Sequence, residues 1–338
     1  MSVRPRGAVV NSSKWPVALL SVSLGVFLAL ARGQGAQDGT QTFAGEQKTI
    51  GNGTVRTWLK ADAKTGEPRS LGVSITETGL TGLPKDSDPP QPGSEKFRLM
   101  DGGPNSTFEY ELKFPPQAAE TAFNHMGFNW NEMGHGPKSI FTMGHFDVHF
   151  YMATTAYRHA IKVDLQDADP IHIKTSNLEP PSQFLPPDYQ LAPNTAEPRM
   201  GSHYADMTSP ELKPGNFGNI FLIGAHGGNI LFWEPMITKA YFESKPKFSA
   251  KLKLPEAYPV SGYYPTSYSV VYDSTRKEFD IALDGLTFRL SSYPKNVYGV
   301  DPCVDSRVAQ IIAKYKKVPD NPVLQKCIGL MRDVISGK

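Results

Sequence analysis

Three histidines and an aspartate fall within fifteen residues of this chain: His135, His145, Asp147 and His149. The last three sit in GHFDVHFYM (144–152), which alternates. Successive side chains of a strand point to opposite faces, so Phe146, Val148 and Phe150 share one face and His145, Asp147 and His149 the other. Neutral imidazole and carboxylate are ligands for divalent transition metals. Catalytic zinc takes three protein ligands and leaves one position open. The candidate metal ligands are His135, His145, His149 and His203, the last in MGSHYADM. The candidate catalytic carboxylates are Asp147 and Glu234, either one a base toward a zinc-activated water. Glu234 is the odd polar residue in the apolar run FWEPM, and a buried Glu needs a partner. Asp147 has a second reading, orienting a histidine ring through its other nitrogen. His203 has one as a general base.

The spacing carries a conflict. On a flat strand His145 and His149 are roughly 13 Å apart, too far to share one ion directly. A helix would bring them together at i, i+4, as in helical zinc motifs. The Phe, Val, Phe and Tyr of this run favour a strand, and a bulge or strong twist would shorten the gap. The remaining histidines read differently: His226 as a hairpin-turn residue, and His125, His159 and His172 as structural or surface residues.

These residues need elements to position them. Strand-like runs cover 54–62, 70–78, 107–114, 125–132 and 144–154, with a short helix over 116–123. NIFLIGAHGGNILFWEPM (219–236) is a hairpin around a Gly-rich turn, and 268–288 is a strand, turn and strand. Residues 82–96 form a Pro-rich loop. Residues 177–200 hold six prolines in 24 positions, a long unpatterned stretch of the kind that is functional or a linker. Residues 305–317 and 321–336 carry helical spacing. The expected architecture is α+β: a β-rich sheet domain with long Pro-rich loops over 48–290, then a C-terminal helical hairpin in a tail over 291–338. A flexible linker over 34–47 precedes the domain.

Val17 to Ala31 is an apolar run of 15 residues behind Arg4, Arg6 and Lys14, the form of a secretory signal peptide over 1–33. It is short for a membrane span, so no span is expected after cleavage. Cleavage takes the formal net charge from +2 to −2, because Arg4, Arg6, Lys14 and Arg32 leave with no acid among them. A near-neutral chain has no electrostatic footprint for nucleic acid. In an oxidising compartment the two cysteines, Cys303 and Cys327, are expected to form one disulfide across the tail. Asn52 and Asn105 begin glycosylation sequons. Phosphate loops, dinucleotide fingerprints and nucleophile elbows are absent from the sequence.

At the histidines a resemblance enters. NWNEMGH (129–135) and HFDVHFY (145–151) resemble the signature of a mostly bacterial secreted family, first described in a thermophile and known as a domain of unknown function. MGSHYADMTSPEL and FLIGAHGGNILFWEPMITKAYFESKP resemble its second block, so the likeness covers about 48–245. Gly144 stands where that pattern has Pro, Tyr204 where it has Trp, and AHGG where it has an acidic-Gly turn. The resemblance implies a β-rich α+β fold, assembly as homo-oligomers, and a metal or active site at the His-Phe-Asp-x-His block. Three functions follow as expectations. The first is a secreted metal-binding protein, acting as a metal-dependent hydrolase or lyase with zinc as its divalent metal. The second is a non-catalytic component of the extracellular matrix or envelope with a structural histidine cluster. The third is a small-ligand binding protein.

Overall fold

A computed structural model describes residues 39–100, 105–137, 139–163, 171–289 and 291. The expected signal peptide, the expected Cys303–Cys327 disulfide and the expected helical hairpin of the tail lie outside the described residues. Sixteen strands follow in chain order: β1 (Thr40–Ile50), β2 (Gly53–Asp62), β3 (Pro68–Thr76), β4 (Glu95–Arg98), β5 (Ser106–Lys113), β6 (His125–Asn131), β7 (His145–Tyr151), β8 (Tyr189–Leu191), β9 (Ser202–Asp206), β10 (Asn219–His226), β11 (Asn229–Thr238), β12 (Lys247–Lys251), β13 (Gly262–Tyr264), β14 (Ser267–Asp273), β15 (Glu278–Asp284) and β16 (Thr287–Arg289). One sheet runs β1-β2-β3-β15-β14-β12, a second runs β4-β5-β6-β7-β11-β10-β9-β8, and β13 pairs with β16. The β-rich expectation holds. The α-helices among the described residues are short: α1 (Thr155–His159), α2 (Ile171–Ser176) and α3 (Lys239–Glu243). None is long and apolar enough to cross a membrane.

The inner faces of the two large sheets share one hydrophobic cluster. Val55, Leu59, Val73 and Ile281 come from the six-stranded sheet, and Phe128, Phe146, Val148 and Phe150 from the eight-stranded one. Phe146, Val148 and Phe150 are fully buried there, each contributing about 1.5–3 kcal/mol by leaving water. The alternation of β7 thus sends its apolar parity into the sandwich. Its polar parity points to the outer face of the eight-stranded sheet.

Two local expectations need correction. The expected flexible linker over 34–47 overlaps β1, which pairs with β2 from Thr40↔Asp62 to Ile50↔Gly53 with a bulge between Ala44 and Gln47. β1 is an edge strand, exposed or half-buried at most positions, so ladder hydrogen bonds rather than apolar burial hold it. Its polar sequence hid it for that reason. The expected helix over 116–123 is a short 3₁₀ turn at Pro116–Glu120. The hairpin over 219–236 is present as β10 and β11. Gly227 and Gly228 at its turn have φ of 58° and 76°, the left-handed pair that a tight hairpin demands.

Candidate metal centre

The outer face of β7 is as buried as the inner one, because loops cover it: His145, Asp147 and His149 are at most 3% exposed. Neighbouring strands add to the polar row. β6 sets Asn131 opposite His145 and Asn129 opposite Asp147, and β5 sets Glu109 opposite Asn129. On the other side β11 pairs Trp233 with Phe150 and Met236 with Asp147. That register brings Glu234 abreast of His149. Pro235 lacks the N–H a ladder needs, and it falls in the stretch between those two pairs. β9 contributes His203, opposite Gly224 of β10.

His135 arrives from the loop between β6 and β7. Its backbone N–H donates to Phe141 O at 2.9 Å. Gly134 makes that turn possible. Its φ is 65°, and a Cβ there would lie 2.2 Å from Phe141 O.

The side chains sort into two groups of two histidines and one carboxylate, His135, His145 and Asp147 in one and His149, His203 and Glu234 in the other. The four histidines share one orientation. Nδ1 faces an oxygen in each: Met143 O at 2.6 Å for His145, Gly136 O at 2.9 Å for His135, Asn129 Oδ1 at 3.2 Å for His149 and Thr195 O at 2.8 Å for His203. An oxygen acceptor fixes the proton on Nδ1, so every Nε2 is directed into its group. Spending the second nitrogen this way is how proteins orient metal-ligating histidines.

The groups differ in the charge they carry. In the first, His135 Nε2 lies 2.9 Å from His145 Nε2 and 3.4 Å from Asp147 Oδ2, while His145 Nε2 is 3.1 Å from Asp147 Oδ1. A proton on His135 Nε2, donated to His145 Nε2, accounts for the 2.9 Å contact, while Asp147 Oδ1 makes no hydrogen bond within the protein. Asn131 Nδ2 donates to Asp147 Oδ2 at 2.7 Å. Burial alone would push the His135 pKa down. The facing Asp147 carboxylate and the bonds to Asp147 and Gly136 outweigh it and raise the value from 6.5 to about 9. Burial likewise pushes Asp147 up, but His145 and His135 hold it well below the usual carboxylate range. This group is a buried histidine pair in which the protonated His135 stands beside its counter-ion, Asp147.

The second group holds no such cation of its own. His149 Nε2 is 3.3 Å from Glu234 Oε1 and His203 Nε2 is 3.6 Å from Glu234 Oε2. Burial lowers the pKa of His149 from 6.5 to about 3 and that of His203 to about 4, so both rings are neutral. Burial and the Asp147 charge push Glu234 well above the usual range. A single proton on Glu234 satisfies one imidazole and leaves the other facing an oxygen. His149 Nε2 and Glu234 Oε2 make no hydrogen bond within the protein. A cation satisfies all three donors at once. Zinc with nitrogen and oxygen ligands at about 2.0–2.2 Å sets those atoms about 3.3–3.5 Å apart in a tetrahedron. The 3.3 and 3.6 Å contacts of the second group, one to each oxygen of Glu234, lie near that edge, as do the 3.1 and 3.4 Å contacts of the first; the 2.9 Å imidazole–imidazole contact of the first is shorter than it.

The structure therefore brings His149 together with His203 and Glu234, and His145 with His135 and Asp147. The conflict between strand spacing and a shared ion disappears, since His145 and His149 serve different groups. Asn52 is exposed in the β1–β2 turn, and Asn105 is half-buried with its amide donating to Gly134 O at 2.9 Å. His226 is half-buried at the end of β10 and faces the Tyr157 hydroxyl at 3.1 Å. His125 was expected to be structural or surface; it is buried, 3.4 Å from Arg158 Nη1. Arg158 is itself fully buried, paired with Glu109 and with its guanidinium 4.2 Å from the Tyr151 ring centroid. Arg158, Glu109, Asn129, Asn131 and Thr195 were not singled out in the sequence. The parity of 107–113 and 125–131 held the signal for three of them: Glu109, Asn129 and Asn131 each lie on the polar face of their strand.

Fold and site together define a class: an antiparallel two-sheet protein whose outer sheet face carries buried histidine–carboxylate groups able to hold a metal ion. Residues 64–130 match the profile of a TTHB210-like family, described as hypothetical protein TTHB210. This family of hypothetical proteins is named after a thermophile protein. The matched span runs from just before β3 into β6 and ends short of His135. No curated protein and no solved structure matches the chain.

Proposed function

We propose that the chain is a metal-dependent hydrolase with one divalent cation, zinc by its donor set, on His149, His203 and Glu234. The His135–His145–Asp147 group beside it is the proton donor. The observation that carries this reading is the contrast between the groups. Both aim Nε2 atoms inward, but the first holds its own counter-charge on His135, whereas the second sets two neutral imidazoles against one carboxylate and leaves His149 Nε2 and Glu234 Oε2 without a hydrogen bond. Two histidines and a carboxylate are a catalytic zinc set that leaves a position for substrate. A cation held there supplies Lewis acidity toward a carbonyl or phosphoryl oxygen. The chain's own residues do the rest. Asn129 and Thr195 fix the rings of His149 and His203, and His135 carries a proton that it can deliver to a leaving group. Asp147 stabilises the His135 charge until that transfer.

Metal analysis of the purified chain tests the reading. One tight ion per chain is expected. It should be lost in His149→Ala and His203→Ala and kept in His135→Gln, with near-ultraviolet circular dichroism unchanged in all three. Hydrolysis of an ester panel should fall in His135→Gln while the ion stays bound. No ion under any loading condition, or two tight ions of equal affinity, would retire the assignment.

A further inference from the structure

A cavity of about 240 Å³ opens beside the polar row. Phe141, Ala205, Leu222 and Met236 form its buried walls, and Ile140 and Leu212 are the half-buried residues nearer its mouth. Its polar lining is His135 and His203, one from each group, with Asn194, Thr195 and Glu197. The two histidines are also the accessible members of the groups. Their side chains are 17% and 11% exposed, against 0–4% for His145, Asp147, His149 and Glu234. A molecule reaching either group from solvent therefore comes through this cavity. Its size limits the occupant. A dry cavity of about 150 Å³ accepts benzene, so this one accepts a single ring or a branched chain with a short substituent. Polar bodies such as sugars or nucleotides would leave their hydroxyls facing Leu222, Phe141 and Met236 without partners, at a steep desolvation cost.

We propose that this cavity binds the apolar part of the substrate, which is a small aryl or branched-alkyl carboxylic acid derivative. Its ring or chain lies against Phe141, Ala205, Leu222 and Met236, and its carbonyl end is directed at His203 and His135. The inference rests on the hydrolase reading for the carbonyl end only; the apolar pocket stands on its own walls. Binding of benzoate and acetate to the zinc-loaded chain tests it, because the two share a carboxylate and differ in the ring. Isothermal titration should show benzoate at least about tenfold tighter, from burial of the ring. Leu212→Trp at the mouth should abolish that difference while zinc still binds. Ala205→Leu, filling the floor, is the second variant if the first perturbs folding. Toluene, which has no carboxylate, should shift the Met236 methyl resonance of the zinc-free chain. Zinc binding with benzoate no tighter than acetate overturns the inference and leaves the cation site standing. No zinc binding, with toluene still shifting Met236 and blocked by Leu212→Trp, overturns the cation site and supports the pocket. Neither zinc nor toluene binding overturns both.

Discussion

Glu234→Gln separates a cation ligand from a structural ion pair, because the two roles predict opposite signs. Glu234 is 1% exposed, and burial with the neighbouring Asp147 charge raises its pKa well above the usual carboxylate range. Burial therefore favours its uncharged acid form in the cation-free chain. Glutamine copies that form in size and hydrogen bonding, so the cation-free melting temperature should stay within about 2 °C of wild type. The loaded chain needs the anion. Losing an outer partner of a ligand costs 10–100-fold in affinity, so losing a ligand costs at least about 100-fold. That is about 2.7 kcal/mol at about 1.4 kcal/mol per decade. At about 2–4 °C per kcal/mol for a domain of this size, the rise in melting temperature produced by zinc should shrink by about 5–10 °C. Calorimetry of both chains, without zinc and with zinc above both dissociation constants, measures the two shifts. If Glu234 instead pairs with charged His149 and His203, the outcome inverts. Breaking a buried pair costs about 3–5 kcal/mol, so the cation-free melt would drop by about 6–20 °C while the zinc response stayed intact. That result would refute the assignment.

Three further expectations are simpler. In the cation-free chain burial holds His125 and His149 at about 3 and His203 at about 4, so as pH falls from 6.5 the unfolded chain takes protons that the folded chain refuses. Stability should drop by up to about 1.4 kcal/mol per pH unit for each histidine. His135, raised to about 9, has the opposite sign: its contribution is full below 6.5 and lost as pH climbs through 9. Urea midpoints of the cation-free chain should therefore peak near neutrality, and a flat profile between pH 4 and 7 would contradict the burial of these rings. Arg158→Met leaves the buried Glu109 with Arg199, at 3.4 Å, as its remaining ion-pair partner, so it should cost up to about 3–5 kcal/mol in chemical denaturation. Adding Glu109→Gln should return part of it, and strict additivity would break the pairing argument. Gly224→Ala places a Cβ 1.9 Å from the Phe232 ring. That ring lies 4.7 Å from His149 and 5.3 Å from His203 between centroids. Overpacking of about 1–3 kcal/mol should come with weaker zinc binding, and a variant that melts and binds like wild type would exclude the contact.

What the sequence disclosed followed the range of each physical cause. Alternation is local, so the division of 144–152 into a core parity and a polar parity is legible in nine residues. Partner choice is not local. Glu234 meets His149 because β11 lies beside β7, and His203 meets both because β9 flanks β10. Nothing in GHFDVHFYM specifies that order, which is why four histidines read as one cluster when they form two groups. Arg158 was invisible for a related reason. A lone arginine in TAYRH carries no periodic signal, and its burial depends on Glu109 arriving from β5.

The coverage of the outer face explains why the chemistry can stand there. A sheet with one wet face would leave His145, Asp147, His149 and Glu234 in water, where their mutual fields are weak. Two apolar clusters prevent this. Tyr151, Ile161, Met200 and Phe232 close one side, and Phe141, Phe217, Leu222 and Met236 close the other. The Pro-rich stretch 177–200 belongs to this cover. Its Thr195 holds His203 through the carbonyl, and the Thr195 hydroxyl accepts from the His203 backbone N–H at 3.1 Å. Ala192, Pro193 and Asn194 continue from it along the cavity. A segment with no periodicity of its own thus does what a strand could not. It seals the polar row from solvent while leaving an opening at His135 and His203. The sandwich core on the inner face bears the stability, so the outer face can keep groups such as His149 Nε2 and Glu234 Oε2 that no protein hydrogen bond satisfies.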